Sequence, residues 1–322
     1  MPCPLWFAWN KLACGWGGAN VTKNCIALVP DMPSILNLGS INIDIVYGVP
    51  HFVSPGETLA SQSLTRGAGG KGFNQSVALA RAGASVCHLG LVGEDGGWLR
   101  DMLKAEGVDV QYLGTSQEPT GHAIIQVDAS GQNAIIIHGG ANTAMDREEL
   151  MSLMSKALRP GDIFLAQNET AWVSEALALA RKLGAIVAYN PAPMSPSRRD
   201  IPGDCVDYLF VNEGEAMELA DAADTDAATV ALRARWPGLR LVLTLGSKGV
   251  RYEDAEASLQ VPALKVDAVD TTAAGDTFIG YFLAGVAQGK PVRQCLEVAC
   301  RAAAISVTRR GAADSVPYRA EL

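Results

Sequence analysis

Short apolar runs bounded by turn residues recur along the chain: Ser34 to Leu38, Ser85 to Leu89, Ile163 to Ala166, Ala185 to Tyr189, Tyr208 to Val211 and Leu241 to Leu245. Runs this short and this uniformly apolar predict strands buried on both faces, as in a parallel sheet. Between them the apolar spacing changes to three and four, over Asn74 to Ala82, Trp98 to Glu106, Arg147 to Leu158, Ala171 to Leu183, Glu213 to Ala220 and Ala227 to Trp236. That spacing predicts helices with one buried face, so the whole predicts βα units in an open sheet covered on both sides. Two regions alternate with period two instead: Ile43 to Thr65, and Val110 to Ile137 with a turn at Gly131. They predict antiparallel strands outside the main sheet, a small flap with strands drawn from about 43–66 and 110–137; an antiparallel edge on the main sheet is the alternative.

Composition narrows the class. At 322 residues, 48% hydrophobic and 19% charged, the chain can bury a large core in one big domain. The formal net charge is −8 and Lys and Arg form no run longer than a pair, so neither nucleic acid nor an anionic membrane is an expected partner. Seven cysteines with no C-x-x-C pair and four scattered histidines indicate neither a disulfide framework nor a zinc site. No stretch approaches a membrane-spanning length of apolar residues. Residues 1–31 differ from the rest: they hold Cys3, Cys14 and Cys25, lack a secretory apolar run, and are expected to be a disordered extension or start-site artefact, an organelle presequence being the lesser reading. Residues 32–322 are expected to form the folded domain. Without a secretory signal the expected location is the cytoplasm, with the nucleus as an alternative in a eukaryotic cell, and the sequon Asn20-Val21-Thr22 reads as chance.

Candidate chemistry concentrates in residues 270–278, DTTAAGDTF. Phe278, Ile279, Phe282, Leu283 and Val286 predict a helix ended by Gly289 and Pro291. Its first turn, about Ala273 to Asp276, offers unpaired N–H groups and the positive end of a helix dipole, among side chains small enough for a phosphate to approach. Asp276 there reads either as an N-cap or as a base beside an anion hole. The loop GAGGKG (67–72) satisfies G-x-G-x-x-G, with Glu94 and Asp95 a little over 20 residues on, but the polar SQSLTR before it is not a buried strand. Nor is it a Walker A loop. Gly69, Gly70 and Gly72 suit close approach of backbone to a ligand, and Lys71 and Asn74 offer donors for a small polar substrate.

Ten segments then fall in one order: LGSINID (38–44), PGET (55–58), GGKGFNQ (69–75), GED (93–95), IIIHGGAN (135–142), NPAP (190–193), VNEGE (211–215), TLGSKG (244–249), VDTTAAGDTF (269–278) and TRRGAADSVP (308–317). Over roughly residues 34–320 this resembles the ribokinase branch of the PfkB carbohydrate kinase family. The resemblance implies an α/β, ribokinase-like three-layer sandwich with a mostly parallel central sheet and a β-sheet lid that also forms a homodimer interface. It implies ATP-dependent phosphorylation of a sugar hydroxymethyl group. Asp276 would take the proton of the 5-hydroxyl, with the N–H groups of Ala273, Ala274 and Gly275 holding the transferred phosphoryl. Asn42, Asp44, Gly70, Lys71, Asn74 and Glu169 match ribose contacts. Thr244, Gly246 and Gly249 match the nucleotide turn, Lys248 there reading as solvated. Asn212 and Glu215 match residues that organise magnesium through water, a capping arrangement being the alternative. Asp270, Thr272, Ser306, Arg309, Gly311 and Ser315 match a potassium site. Ribose is the implied sugar; fructose, 2-keto-3-deoxygluconate or a nucleoside are alternatives, Phe73 beside Asn74 being the one hint of a base pocket, and a non-catalytic sugar-binding regulator is the reading from another class.

Overall fold

The computed structural model describes residues 33–194 and 202–322, so the extension expected over 1–31 lies outside the described residues. The chain opens with β1 (Ile35–Leu38), β2 (Asn42–Gly48), β3 (Ser63–Gly69), α1 (Lys71–Arg81), β4 (Val86–Gly93), α2 (Gly97–Ala105), β5 (Asp109–Ser116), β6 (Gly121–Val127) and β7 (Asn133–His138). It continues through α3 (Arg147–Ala157), β8 (Ile163–Gln167), α4 (Val173–Lys182), β9 (Ile186–Asn190), β10 (Tyr208–Asn212), α5 (Glu213–Ala220), α6 (Thr225–Arg235) and β11 (Arg240–Thr244). Then come β12 (Val250–Glu253), β13 (Ser258–Val261), α7 (Ala274–Ala287) and α8 (Val292–Ser306).

Nine strands form the main sheet in the order β13-β12-β11-β10-β9-β8-β1-β4-β5, and four form a second sheet, β3-β2-β6-β7. The six apolar runs are the parallel interior of the main sheet. Their residues divide by parity: Ile35, Ile163 and Leu165 pack with Phe73, Phe278 and Phe282 on one face, while Leu36, Phe164 and Ala166 pack with Leu150, Leu177 and Leu232 on the other. Helices α1, α2, α7 and α8 cover the first face and α3 to α6 the second. No helix among the described residues is long and apolar enough to cross a membrane.

Three expectations change. The stretch 110–137 is not all lid: β5 pairs in parallel with β4 at the edge of the main sheet, and the lid strands there are β6 and β7. An edge strand exposes one side, so its alternation mimics that of a lid strand. Within 43–66 only β2 and β3 are strands, running on to Gly69, and β2 pairs antiparallel with β3 but parallel with β6. The main sheet does carry an antiparallel edge, but β12 and β13 form it, outside both of those stretches. Phe73, the hint of a base pocket, is fully buried in the core.

Helices α1 and α7 pack closely because Gly280 faces Ala78; a Cβ there would fall 2.4 Å from the Ala78 Cβ. One turn toward the N-terminus of each helix, that contact sets Asn74 and Gln75 beside Asp276.

Candidate active site

Asp276 lies in the first turn of α7, but it is not the cap. Ala273 occupies the cap position in the left-handed region, φ 58°, a strained conformation for alanine. The Asp276 carboxylate is 6% exposed and accepts hydrogen bonds from a different helix: Asn74 Nδ2 at 3.1 Å and Gln75 Nε2 at 2.8 Å. Of the proposed anion-hole amides, Ala274 N–H turns back to the Thr271 carbonyl at 3.3 Å, closing the loop itself. Among the described residues no backbone acceptor takes the N–H of Ala273, Gly275 or Asp276. The anion hole is therefore narrower than the sequence predicts, with Ala274 shaping the turn.

Lys71 opens α1 and lines one cavity with Asp276. Burial opposes its charge, but the carboxylates of Asp276, Glu169 and Glu215 outweigh that and hold its pKa above the ordinary lysine value. Asn74 donates to Asp276 while its Oδ1 is buried without a partner among the described residues, an acceptor suited to a hydroxyl donor. Glu169, just after β8, accepts from Ser40 Oγ and from the Lys71 backbone N–H at 3.1 Å with the same oxygen, leaving the other free. Asn42 and Asp44 sit two residues apart on the first lid strand, on one face, with Gly69 and Gly67 opposite them on β3. Burial first, then the Glu169 charge, pushes the Asp44 carboxyl up to about 6.

The glycines of the loop serve the chain itself more than a ligand. A Cβ at Gly69 would strike the Asp44 carboxylate at 2.1 Å, and one at Gly72 would fall 2.2 Å from the Gly39 Cα. Gly70 precedes α1 with φ 92°. Asp95, the acidic residue of the dinucleotide reading, accepts from Thr120 N and Oγ1 and is a structural anchor.

Two cavities meet at the α7 start. One, about 240 Å³, is lined by Lys71, Asn212, Glu215, Gly275 and Asp276 among others. The second, about 520 Å³, lies over Leu264, Val266, Phe278, Cys300 and Val307, with Gly246 and Gly249 at its wall. Both contain Asn212, Thr244, Thr271, Ala274 and Gly275. Asn212 and Thr244 are paired residues at the carboxyl ends of β10 and β11, the position where open α/β sheets bind ligands. An apolar chamber, a shared neck of amides and a charged chamber with a carboxylate suit a flat apolar base, a run of phosphates and a hydroxyl acceptor in line.

The N-x-x-E pair forms the capping box of α5: Asn212 Oδ1 accepts from Glu215 N–H at 2.8 Å, and Glu215 Oε2 accepts from Asn212 N–H at 2.9 Å. Both residues still line the charged chamber, and one carboxylate beside phosphates suits a hard cation bound mostly through phosphate and water. The predicted potassium residues come together at the loop before α7 and the segment after α8. Asp270 accepts from Thr272 N at 2.9 Å, Thr272 Oγ1 at 2.6 Å and Gly311 N at 3.0 Å. Burial alone would lift the Asp270 carboxyl, but these bonds and Arg310 hold it below its ordinary range. Ser306 and Ser315 are fully buried and donate their hydroxyls to the Ala303 and Ala312 carbonyls, while Arg309 pairs with Glu321. Their side chains are thus committed, and what this region could offer a cation is oxygen, chiefly carbonyl, which fits potassium in kind.

Sequence reasoning missed several polar residues of the site. Asn142 accepts from Ile41 N–H and donates to Asn42 Oδ1 at 2.8 Å, fixing Asn42. Gln75, Gln167 and Asn190 are buried behind Asp276. Asn142, Gln75 and Asn190 stand inside the quoted segments IIIHGGAN, GGKGFNQ and NPAP, which is the only signal that could have flagged them.

The family described as pfkB family carbohydrate kinase matches residues 32–319. A ribokinase of Haemophilus influenzae is 39% identical over 294 residues, covering 88% of this chain and 95% of the relative. A ribokinase of Cryptococcus neoformans solved with ADP shares 35% identity at a TM-score of 0.77, covering 90% of this chain and 98% of that one. A ribokinase of Arabidopsis thaliana solved with ribose and ATP shares 30% identity at a TM-score of 0.79, covering 89% and 96%.

Proposed function

The chain belongs to the pfkB family of carbohydrate kinases, and on that premise we propose that it transfers the γ-phosphoryl group of ATP to the 5-hydroxyl of D-ribose, giving ribose 5-phosphate and ADP. The observation that carries the reading is a buried carboxylate, Asp276, lining the charged chamber next to Gly275, whose free amide stands where that chamber meets the apolar one. Asp276 takes the hydroxyl proton as oxygen attacks phosphorus, and the Gly275 N–H with the α7 dipole holds the charge on the transferred group. Asn42, Asp44, Gly70, Lys71, Asn74 and Glu169 hold the sugar under the lid. The 520 Å³ chamber takes the adenine, with Thr244 at its neck and Gly246 and Gly249 at its wall. Asn212 and Glu215 would hold a magnesium ion through water, which supplies charge neutralisation of the phosphates. The oxygens around Asp270 and Gly311, with Thr272, Ser306, Arg309 and Ser315, would take potassium and steady the loop before Ala273. The protein acts in the cytoplasm.

An ADP-release assay over ribose, fructose, 2-keto-3-deoxygluconate, adenosine and uridine tests the substrate. Ribose is expected to have the highest kcat/KM, raised by potassium; turnover of another acceptor in its place overturns the sugar assignment, and turnover of none favours a regulator.

The reading extends to assembly. Ile135, Ile136 and Ile137 on β7 are 50%, 64% and 51% exposed, at an open edge of the lid sheet. Consecutive strand residues face opposite sides, so both faces and the edge are apolar, a surface that folded proteins keep covered. A second copy of this chain, docked lid to lid, is the cover. Sedimentation equilibrium is expected to show a dimer that Ile136→Asp converts to monomer, and a monomeric parent protein would rule the assembly out.

A further inference from the structure

Behind Asp276 runs a chain of neutral polar side chains that line neither chamber. Asn37, Gln75, Ser76 and His88 are 0% exposed and Gln167 is 1% exposed. Neither Gln75 nor Gln167 lines the chamber over Asp276, so substrate contact does not account for them. Five buried polar side chains in an α/β core are costly unless each is satisfied in one arrangement.

One fixed point sets that arrangement. The Gly39 carbonyl can only accept, so His88 Nε2, 3.1 Å away, carries the ring proton and Nδ1 is the acceptor. Burial pushes the imidazole down to about 4, which keeps it neutral. Ser76 Oγ, 2.8 Å from Nδ1, therefore donates to it and accepts from Asn37 Nδ2 at 2.8 Å. Asn37 Nδ2 gives its other proton to the Gly72 carbonyl at 2.9 Å, which turns Asn37 Oδ1 toward Gln167 Nε2, also 2.9 Å away. Gln167 Nε2 gives its second proton to Gln75 Oε1 at 2.7 Å, and Gln75 Nε2 is left to donate to Asp276 Oδ1 at 2.8 Å. A second arm agrees in sense: Asn190, oriented by the Phe210 carbonyl, accepts from Gln75 Nε2 at 3.4 Å. Every amide of this network has one permitted orientation, in which Gln167 Oε1 alone is left without a partner among the described residues.

We infer that Gln75 and Gln167 are positioning residues for the phosphoryl transfer: the chain from Gly39 through His88, Ser76, Asn37, Gln167 and Gln75 fixes which oxygen of Asp276 is anchored and turns the rest of the carboxylate to the acceptor. Asn74 anchors the other oxygen from the same helix, and Lys71, with Glu169 and Glu215 around it, is the charged group beside the carboxylate. Gln75→Met removes the donor. Gln167→Glu, which does not touch Asp276, reverses Gln75 by offering it an acceptor, so a carbonyl meets the carboxylate.

The inference rests on Asp276 being the base, which Asp276→Asn tests by itself. In both Gln variants kcat is expected to fall about tenfold with the KM of either substrate within about twofold. A general structural lesion would raise a KM as well as lower kcat, whereas a turned carboxylate lowers kcat alone. Folded variants with kcat within about twofold of the parent, or with a KM raised as far as kcat is lowered, overturn the inference. If neither variant folds, ¹⁵N NMR of the histidine-labelled parent decides: the Nε2–H tautomer of His88 is the expected result, and the Nδ1–H tautomer reverses the chain and overturns it.

Discussion

Replacing Asp276 by Asn is expected to lower turnover by roughly 10²- to 10⁴-fold while both substrates bind with near-parent affinity. On the proposed mechanism, the substitution removes the proton acceptor and little else. The new amide would carry one oxygen and one NH₂ where the Asp276 carboxylate faces two donors, Asn74 Nδ2 and Gln75 Nε2. Gln75 is held in its orientation from behind, but Asn74 can turn its amide over, since its Oδ1 has no partner among the described residues. The clash is thereby relieved and the fold persists. Lys71 keeps the carboxylates of Glu169 and Glu215, so the charged chamber stays organised. Steady-state ADP release together with calorimetric binding of ATP separates the outcomes. A kcat within about threefold of the parent would remove the general base from the mechanism.

How much of this was visible in the chain depends on how a residue announces itself. The interior strands were legible because a strand buried on both faces must be apolar throughout, so Ile163 to Ala166 and Leu241 to Leu245 have few other readings. The edge strand β5 was not, since half of it faces solvent and its alternation is that of a lid strand. No expectation names helix α8, although Cys295, Leu296, Ala299, Cys300 and Ala302 keep the spacing of one buried helix face. At the site, Asp276 was legible through its small neighbours, and the Asn212–Glu215 spacing through the capping box that it forms. The orienting amides were not. A buried Gln at the end of an apolar run, as Gln167 is at the end of β8, has no pattern that tells a satisfied network member from a surface residue at a strand end. Its role appears only when Gln75, from a helix distant in sequence, is seen to accept from it. Exposure of β7 was equally hidden: the alternation puts it in the flap, but only the sheet order makes it the open edge on which three consecutive isoleucines stay uncovered.

Asp44→Asn is expected to give a protein that is more stable and much poorer at taking sugar. The Asp44 carboxylate has no hydrogen-bond donor among the described residues, and burial with the Glu169 charge raises it to about 6. For a carboxyl whose native pKa lies above its unfolded value, the native state binds more protons between the two values. Stability therefore falls as pH rises from about 4 to about 6, and above that the full penalty remains. Removing the charge is expected to return roughly 1 to 3 kcal/mol near neutral pH. On the proposed reading, sugar hydroxyls would donate to the ionised carboxylate and offset the penalty, which an amide would not reproduce, its NH₂ facing a donor. Loss of charge-assisted hydrogen bonds at about 1.5–3 kcal/mol each is expected to lower kcat/KM for ribose on the order of 10²-fold, with KM for ATP little changed. Thermal melts at about pH 5 and about pH 7.5 test the linkage: the variant should gain over the parent at the higher pH and far less at the lower. The parent itself should lose kcat/KM for ribose as pH falls below about 6, when Asp44 takes up a proton. Equal melting at both pH values with an unchanged sugar KM would mean that Asp44 neither bears this strain nor holds the sugar.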